Sequence, residues 1–260
     1  MNPELRTSKV ADNWATQPHT LENGLIYFET NKDNTDAFDE FFMGLPVEDK
    51  CSEQLNMLLY RKVTMPANSQ TLQYMASKSD SLSAIYPVAK DWNAQLVSQV
   101  RRLLSVVPMG KEDSITAYFE RYNIPEIQMA GDDYHCLKLF RYGKIDEAFD
   151  LARQMMKKYA DTKLSFVSDL VDVTFFCATK QQTLFSKKQK KELLAWAKEH
   201  VKCNNVKNDY HNNFLLIEAY GLCGDKKNAA VYADKIKANL KSEQQLQFYD
   251  EMLRSIDSIR

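Results

Sequence analysis

Two short stretches repeat a combination suited to acid–base chemistry, DDYHC at 132–136 and NDYHN at 208–212. Asp133 stands two residues before His135, and Asp209 two before His211. An aspartate bonded to an imidazole fixes its tautomer and lets the other ring nitrogen exchange a proton. Near neighbours on one helix do not face each other, however, so each aspartate and its histidine would diverge. The expected roles are therefore capping, for aspartates close to a helix start, and packing.

Other chemistry is scarcer. Glu199-His200 lacks the second histidine one turn on that a metal-binding helix of this kind needs. Cys51, Cys136, Cys177, Cys203 and Cys223 form no CxxC pair and no metal-ligand spacing. They are expected as free thiols buried as small apolar groups, which suits a reducing, cytoplasmic setting. Serine nucleophile elbows, P-loops and dinucleotide glycine patterns are missing. The expectation is a chain with no catalytic residue, no metal and no cofactor.

Charge is unevenly spread although the formal total is −1. Residues 1–60 carry 11 acids against 4 bases, and residues 180–241 carry 13 bases against 6 acids. KKQKK at 187–191 opens a predicted helix, where lysines oppose the macrodipole. A solvated helix face is the expected reading. The alternative is a basic surface over 180–241 for RNA or an acidic partner. Phe185 and Trp196 nearby have core-like spacing, which does not indicate base stacking.

The elements that must position these residues are helices. Only 7 glycines and 7 prolines occur in 260 residues, where average usage gives roughly 18 and about 13. Few breakers mean long regular elements, and the abundance of Ala, Leu, Lys and Gln makes them helical. Leu82, Ile85, Ala89, Trp92, Leu96, Val100 and Leu103 form one stripe at helical spacing, with Pro87 marking a helix start or a kink. Leu164, Val167, Val171, Phe175 and Ala178 form another. Ser186 with Gln189 has capping-box spacing before Leu193, Ala197 and Val201, and Ser242 with Gln245 repeats it. No segment joins strict alternation to β-branched richness, so no strand is expected.

The first fifty residues predict a loose lead-in and a short helical hairpin, with a helix over 20–30 despite Gly24 and one from Asn34 to Gly44, the alternative for Leu25-Ile26-Tyr27-Phe28 being a buried strand. Residues 51–260 are expected to form a helical repeat domain. No run approaches the roughly 18 apolar residues of a membrane span, and NPELRTSKVADNW after Met1 lacks the apolar core of a signal peptide. A soluble chain is expected.

RYGKIDEAFDLARQM at 141–155 shows how the helices connect. Ala148, Ala152 and Met155 follow Gly143 at the offsets at which Ala229, Ala233 and Ile236 follow Gly224. Glycine permits a sharp turn, and alanines let two antiparallel helices approach closely.

This pattern resembles the tetratricopeptide repeat, a helix–turn–helix unit of about 34 residues. The matching residues are Gly143 and Gly224, Ala148 and Ala229, and Tyr220. The tryptophan and leucine-glycine elements of the first helix are missing, and Ala160 stands near the usual closing proline. The resemblance implies an all-α fold of antiparallel hairpins stacked as an α-solenoid, the alternative being a compact irregular bundle. It also implies a non-catalytic scaffold that holds a protein or peptide partner in a concave groove lined by first helices. By the same resemblance Asp133, Arg141, His211 and Glu218 would face that groove. The chain would equally suit the helical portion of a larger multidomain protein.

Overall fold

The structure is a computed structural model that describes residues 14–16, 19–160, 164–204, 210–237, 240 and 243–257. Among the described residues every regular element is helical. In chain order the α-helices are α1 (Leu21–Thr30), α2 (Thr35–Gly44), α3 (Val47–Lys50), α4 (Glu53–Arg61), α5 (Gln70–Ser83), α6 (Trp92–Val106) and α7 (Asp113–Thr116). They continue as α8 (Pro125–Arg141), α9 (Ile145–Lys158), α10 (Phe166–Thr179), α11 (Lys187–Asn204), α12 (Tyr210–Leu222), α13 (Lys226–Lys237) and α14 (Glu243–Asp257). Short 3-10 turns occupy Trp14–Thr16, Pro87–Asp91 and Ala117–Tyr122.

The chain divides into two compact units, Met1–Tyr134 and His135–Arg260, the boundary falling within α8. It does not fall near residue 50, because the aromatic residues of α1 and α2 share one core with α4, α5 and α6. In that first core Phe28 meets Phe38 edge-on and Phe41 tilted, Phe38 stacks on Phe42, and Tyr74 links Phe42 to Trp92. Gly24 lets Phe41 approach α1, since a Cβ there would stand 2.0 Å from the ring. Thr20 and Asn34 cap α1 and α2 through their side chains.

Polar ties hold this unit between its helices. Lys50 is buried and donates through Nζ to the Met43 and Leu45 carbonyls at the end of α2, a favourable place for a cation. Asp39 accepts from the Gln70 and Thr71 backbone N–H groups at the start of α5, both at 2.9 Å. The stripe from Leu82 to Leu103 is two elements, divided near Pro87, where a helix start or a kink was expected. Helix α5 ends at Ser83, Pro87 starts a 3-10 turn, and α6 begins at Trp92, which leaves Ile85 exposed.

The second unit is more regular. Gly143 and Gly224 have φ of +72° and +73°, the left-handed region that glycine enters without a Cβ penalty. The hydrogen bonds around them are the same. Lys144 N–H donates to Leu139 and Gly143 N–H to Phe140; Asp225 N–H donates to Tyr220 and Gly224 N–H to Gly221. Both are Schellman turns, and both lead directly into the next helix. Ala148, Ala152, Met155, Ala229, Ala233 and Ile236 are all buried.

Helices α8 and α9 pack through Phe140 against Phe149 and a bond from the Cys136 thiol to the Ala148 carbonyl. Helix α11 lies against α9 through the Arg153–Glu192 ion pair at 2.9 Å and through Trp196 on Phe149. The Ser186–Gln189 capping box forms in both directions, at 2.8 and 3.2 Å. Helix α12 packs against α10, α11 and α13. Ser242 lies outside the described residues.

Candidate functional site

Helix α10 carries two faces. Val167, Val171, Phe175 and Ala178 turn inward, and Asp169, Asp172 and Phe176 share the opposite side at steps of three and four. Helix α12 differs. Packed by several neighbours, it is buried at every position from Leu215 to Leu222, so an acid within it is desolvated. Glu218 sits in the middle of that run.

Two clefts open along these helices. The first, about 360 Å³, is bounded by Ser168 and Asp172 of α10 and by Tyr210, His211, Phe214 and Glu218 of α12. The second, about 410 Å³, takes Leu137 and Arg141 from the end of α8 together with Asp169, Asp172 and Phe176. Asp172 belongs to both. These volumes lie in the range of ligand-sized sites. Phe176 is 51% exposed, an unusual surface position for a large aromatic ring.

Glu218 is only 6% exposed. Burial pushes its carboxyl well above the ordinary range, and the Asp172 charge and a hydrogen bond between the two side chains add to the effect. Asp172 is accessible as a residue, but its carboxyl is desolvated against Glu218 and is also raised. Asp169 raises it further, while the bond to Glu218 and the nearby His211 act in the opposite sense. Both carboxyls are thus held above the ordinary range, with Glu218 displaced further than Asp172, the more solvated partner. Glu218 Oε2 is buried, and among the described residues no N–H or hydroxyl group donates to it.

Three of the four residues expected at the groove come to these clefts. Arg141 lines the second, and His211 and Glu218 line the first. Asp133 does not. It is buried in the first unit and paired with Arg101 at 3.2 Å. Asp133 and His135 also lie in the middle of α8, too far from its start for Asp133 to cap it. Asp209 lies outside the described residues, and His211 opens α12.

Asp169, Asp172 and Phe176 are additions that the sequence reading missed. Their signal was an i, i+3, i+7 set opposite the apolar stripe of α10. Lys187, Lys188, Lys190 and Lys191 line neither cleft. Among the cysteines Cys51, Cys136 and Cys177 are buried thiols, but Cys203 is exposed near the end of α11. Among the described residues no cluster of three His, Cys, Asp or Glu side chains is arranged to hold a metal ion, and no helix is long and apolar enough to cross a membrane. No protein-family model, no curated protein and no solved structure matches the chain.

Proposed function

We propose that the second unit is a protein-interaction module that seats a peptide segment of a partner across α8, α10 and α12. The observation that carries this reading is the pair of adjoining clefts joined at Asp172, where exposed Phe176 shares the second cleft with Arg141 and Asp169 and His211 lines the first. An aromatic anchor ringed by charged hydrogen-bonding groups is how a surface combines affinity with register. The repeated Schellman turns and buried alanines support a tetratricopeptide-like stacking of hairpins, in which consecutive first helices present such a face. The role is that of a non-catalytic scaffold, with recognition spread over several helices.

Selection of displayed random dodecapeptides on the full chain tests this. Peptides recovered on the parent should bind the Arg141→Ala, Phe176→Ala double variant about tenfold or more weakly. Both side chains are exposed, so the thermal midpoint should hold. Equal binding to parent and double variant, or crosslinks that map away from α8, α10 and α12, would sink the proposal.

A further inference from the structure

We infer that α11 and the start of α13 form a second interaction surface, which receives the phosphate backbone of double-stranded DNA on a stripe of lysines. This goes beyond the peptide reading and does not depend on it, since no lysine lines either cleft of that site.

Helix α11 has two distinct sides. Leu193 and Ala197 turn inward, while Lys187, Lys191, Lys198 and Lys202 are all exposed and recur at steps of four, seven and four. At helical spacing they lie within about 60° of one another and span about 22 Å. The Gly224 turn adjoins this helix, for the Cys223 thiol donates to the Lys190 carbonyl at 3.2 Å. Burial raises that thiol, and the charges of Lys190, Lys198 and Lys191 act against the rise. Asn228 lowers the Asp225 carboxyl through its hydrogen bonds, and the charges of Lys198 and Lys227 lower it further. Lys227 therefore extends the stripe onto α13. The acids of the region do not cancel it, since α11, Asp225 and α13 hold ten lysines against four acids. Glu192 is taken by Arg153, Asp225 accepts from Asn228, and Asp234 lines a cleft with Tyr249 of α14. Glu199 reaches the stripe, at 3.9 Å from Lys202. Helix stability does not account for the arrangement either, because lysines in a first turn oppose the macrodipole.

The chemistry of the face selects among anions. Helix α11 exposes no large apolar side chain, so it lacks the desolvated anchors from which a peptide interface draws affinity. For the same reason it has no apolar face to bury in a lipid surface. A phosphate backbone needs neither, because released counterions supply the affinity. Unstacked bases find no platform here. The Tyr220 and Tyr232 rings stack on each other at 5.7 Å, with Lys198 over the first and Lys235 over the second, which disfavours a single strand. Duplex RNA is recognised largely through its 2′-hydroxyls. The stripe offers ammonium groups, point charges suited to phosphate.

The test measures the fluorescence anisotropy of a labelled mixed-sequence DNA duplex with the full chain. Contact with about four phosphates should weaken binding about a hundredfold between about 50 and 200 mM salt. A variant combining Lys187→Gln, Lys191→Gln, Lys202→Gln and Lys227→Gln should bind about tenfold or more weakly at the lower salt and show a flatter salt dependence. These side chains are exposed, so its thermal midpoint should hold. Arginine at the same four positions should preserve binding. Removing equal charge from the first unit, through Lys32→Gln, Lys78→Gln, Lys90→Gln and Lys111→Gln, should change affinity by less than about twofold. Photo-crosslinks between the parent and the duplex should map to α11 and the start of α13, a readout that needs no variant. No saturable binding at the lower salt, equal loss in the two glutamine variants, or crosslinks elsewhere overturns the surface. Tighter binding of duplex RNA or of polyglutamate overturns it as well. So would a salt-sensitive self-association, lost in the first glutamine variant, that excludes the DNA.

Discussion

In the first unit Gln99 is buried and uses its whole amide, with Nε2 donating to the Leu59 and Val63 carbonyls at 2.8 Å and Oε1 accepting from Met65 N–H at 3.1 Å. In the second unit Glu218 is equally buried, yet one oxygen meets no donor. The buried charged groups of the first unit follow Gln99. Lys50 meets two carbonyls, Glu112 accepts from Gly110 N–H, and Asp133 meets Arg101. Irregular connections such as 62–69 leave backbone groups that helices do not satisfy, and long polar side chains reach in to pair them. The second unit turns by compact glycine motifs that satisfy their own backbone. Its buried acid is thus not needed to hold the chain, and it stands at a cleft wall.

The largest effect should come from removing a closed polar tie. Gln99→Leu keeps the volume but strands the Met65 N–H and the Leu59 carbonyl, and leaves the Val63 carbonyl only a 3.4 Å bond from Arg102. Urea denaturation should show a loss of about 3 kcal/mol or more. If the loss were negligible, the buried amide would not be a structural tie and the contrast between the units would fail.

Next comes the packing of the regular unit. Ala148 and Ala229 are both buried behind equivalent turns, so Ala148→Leu and Ala229→Leu should each cost roughly 1–3 kcal/mol by overpacking. Similar costs at the two sites, read by thermal and urea denaturation, would sharpen the equivalence of the hairpins. A cost at only one would break it.

A smaller, pH-dependent effect should appear at Glu218. A carboxyl raised in the folded state binds a proton there that the unfolded chain has already released. Stability contributed by this group is therefore present below the usual carboxylate range and falls as pH rises toward the folded value. Glu218→Gln lacks that fall. Its stability relative to the parent should improve with pH above about 4.3, by at most about 1.4 kcal/mol per pH unit. A flat difference between pH 4 and 8 would show that Glu218 is ionised in the folded chain.

Local demands were legible in the residues, and distant ones were not. Gly143 and Gly224 announce a positive φ, and Ser186 with Gln189 announces a helix start, because cause and effect lie within a few positions. Pro87 suits either a kink or a helix start, and in the fold it opens the 3-10 turn that leads into α6. Asp133 could not disclose that its partner is Arg101, on another helix. Glu218 was singled out by resemblance as a groove residue. Its raised carboxyl follows from burial and then from Asp172, which no local pattern joins to it. Phe176 reads as an ordinary apolar residue until the other face of α10 is seen to be the buried one.

The twin glycine turns also have a consequence for the order in which the chain assembles. Their hydrogen bonds join residues a few positions apart, while those of Gln99 close segments of 34 to 40 residues. Loop-closure entropy makes the longer ties dearer by about 2 kcal/mol before any packing rewards them. Hairpins centred on Gly143 and Gly224 can therefore form from local contacts alone, whereas α4 and α6 must wait for a distant encounter. Pulse-labelled hydrogen exchange during refolding should show α9 and α13 protected before α4 and α6, with Gln99→Leu delaying only the later phase.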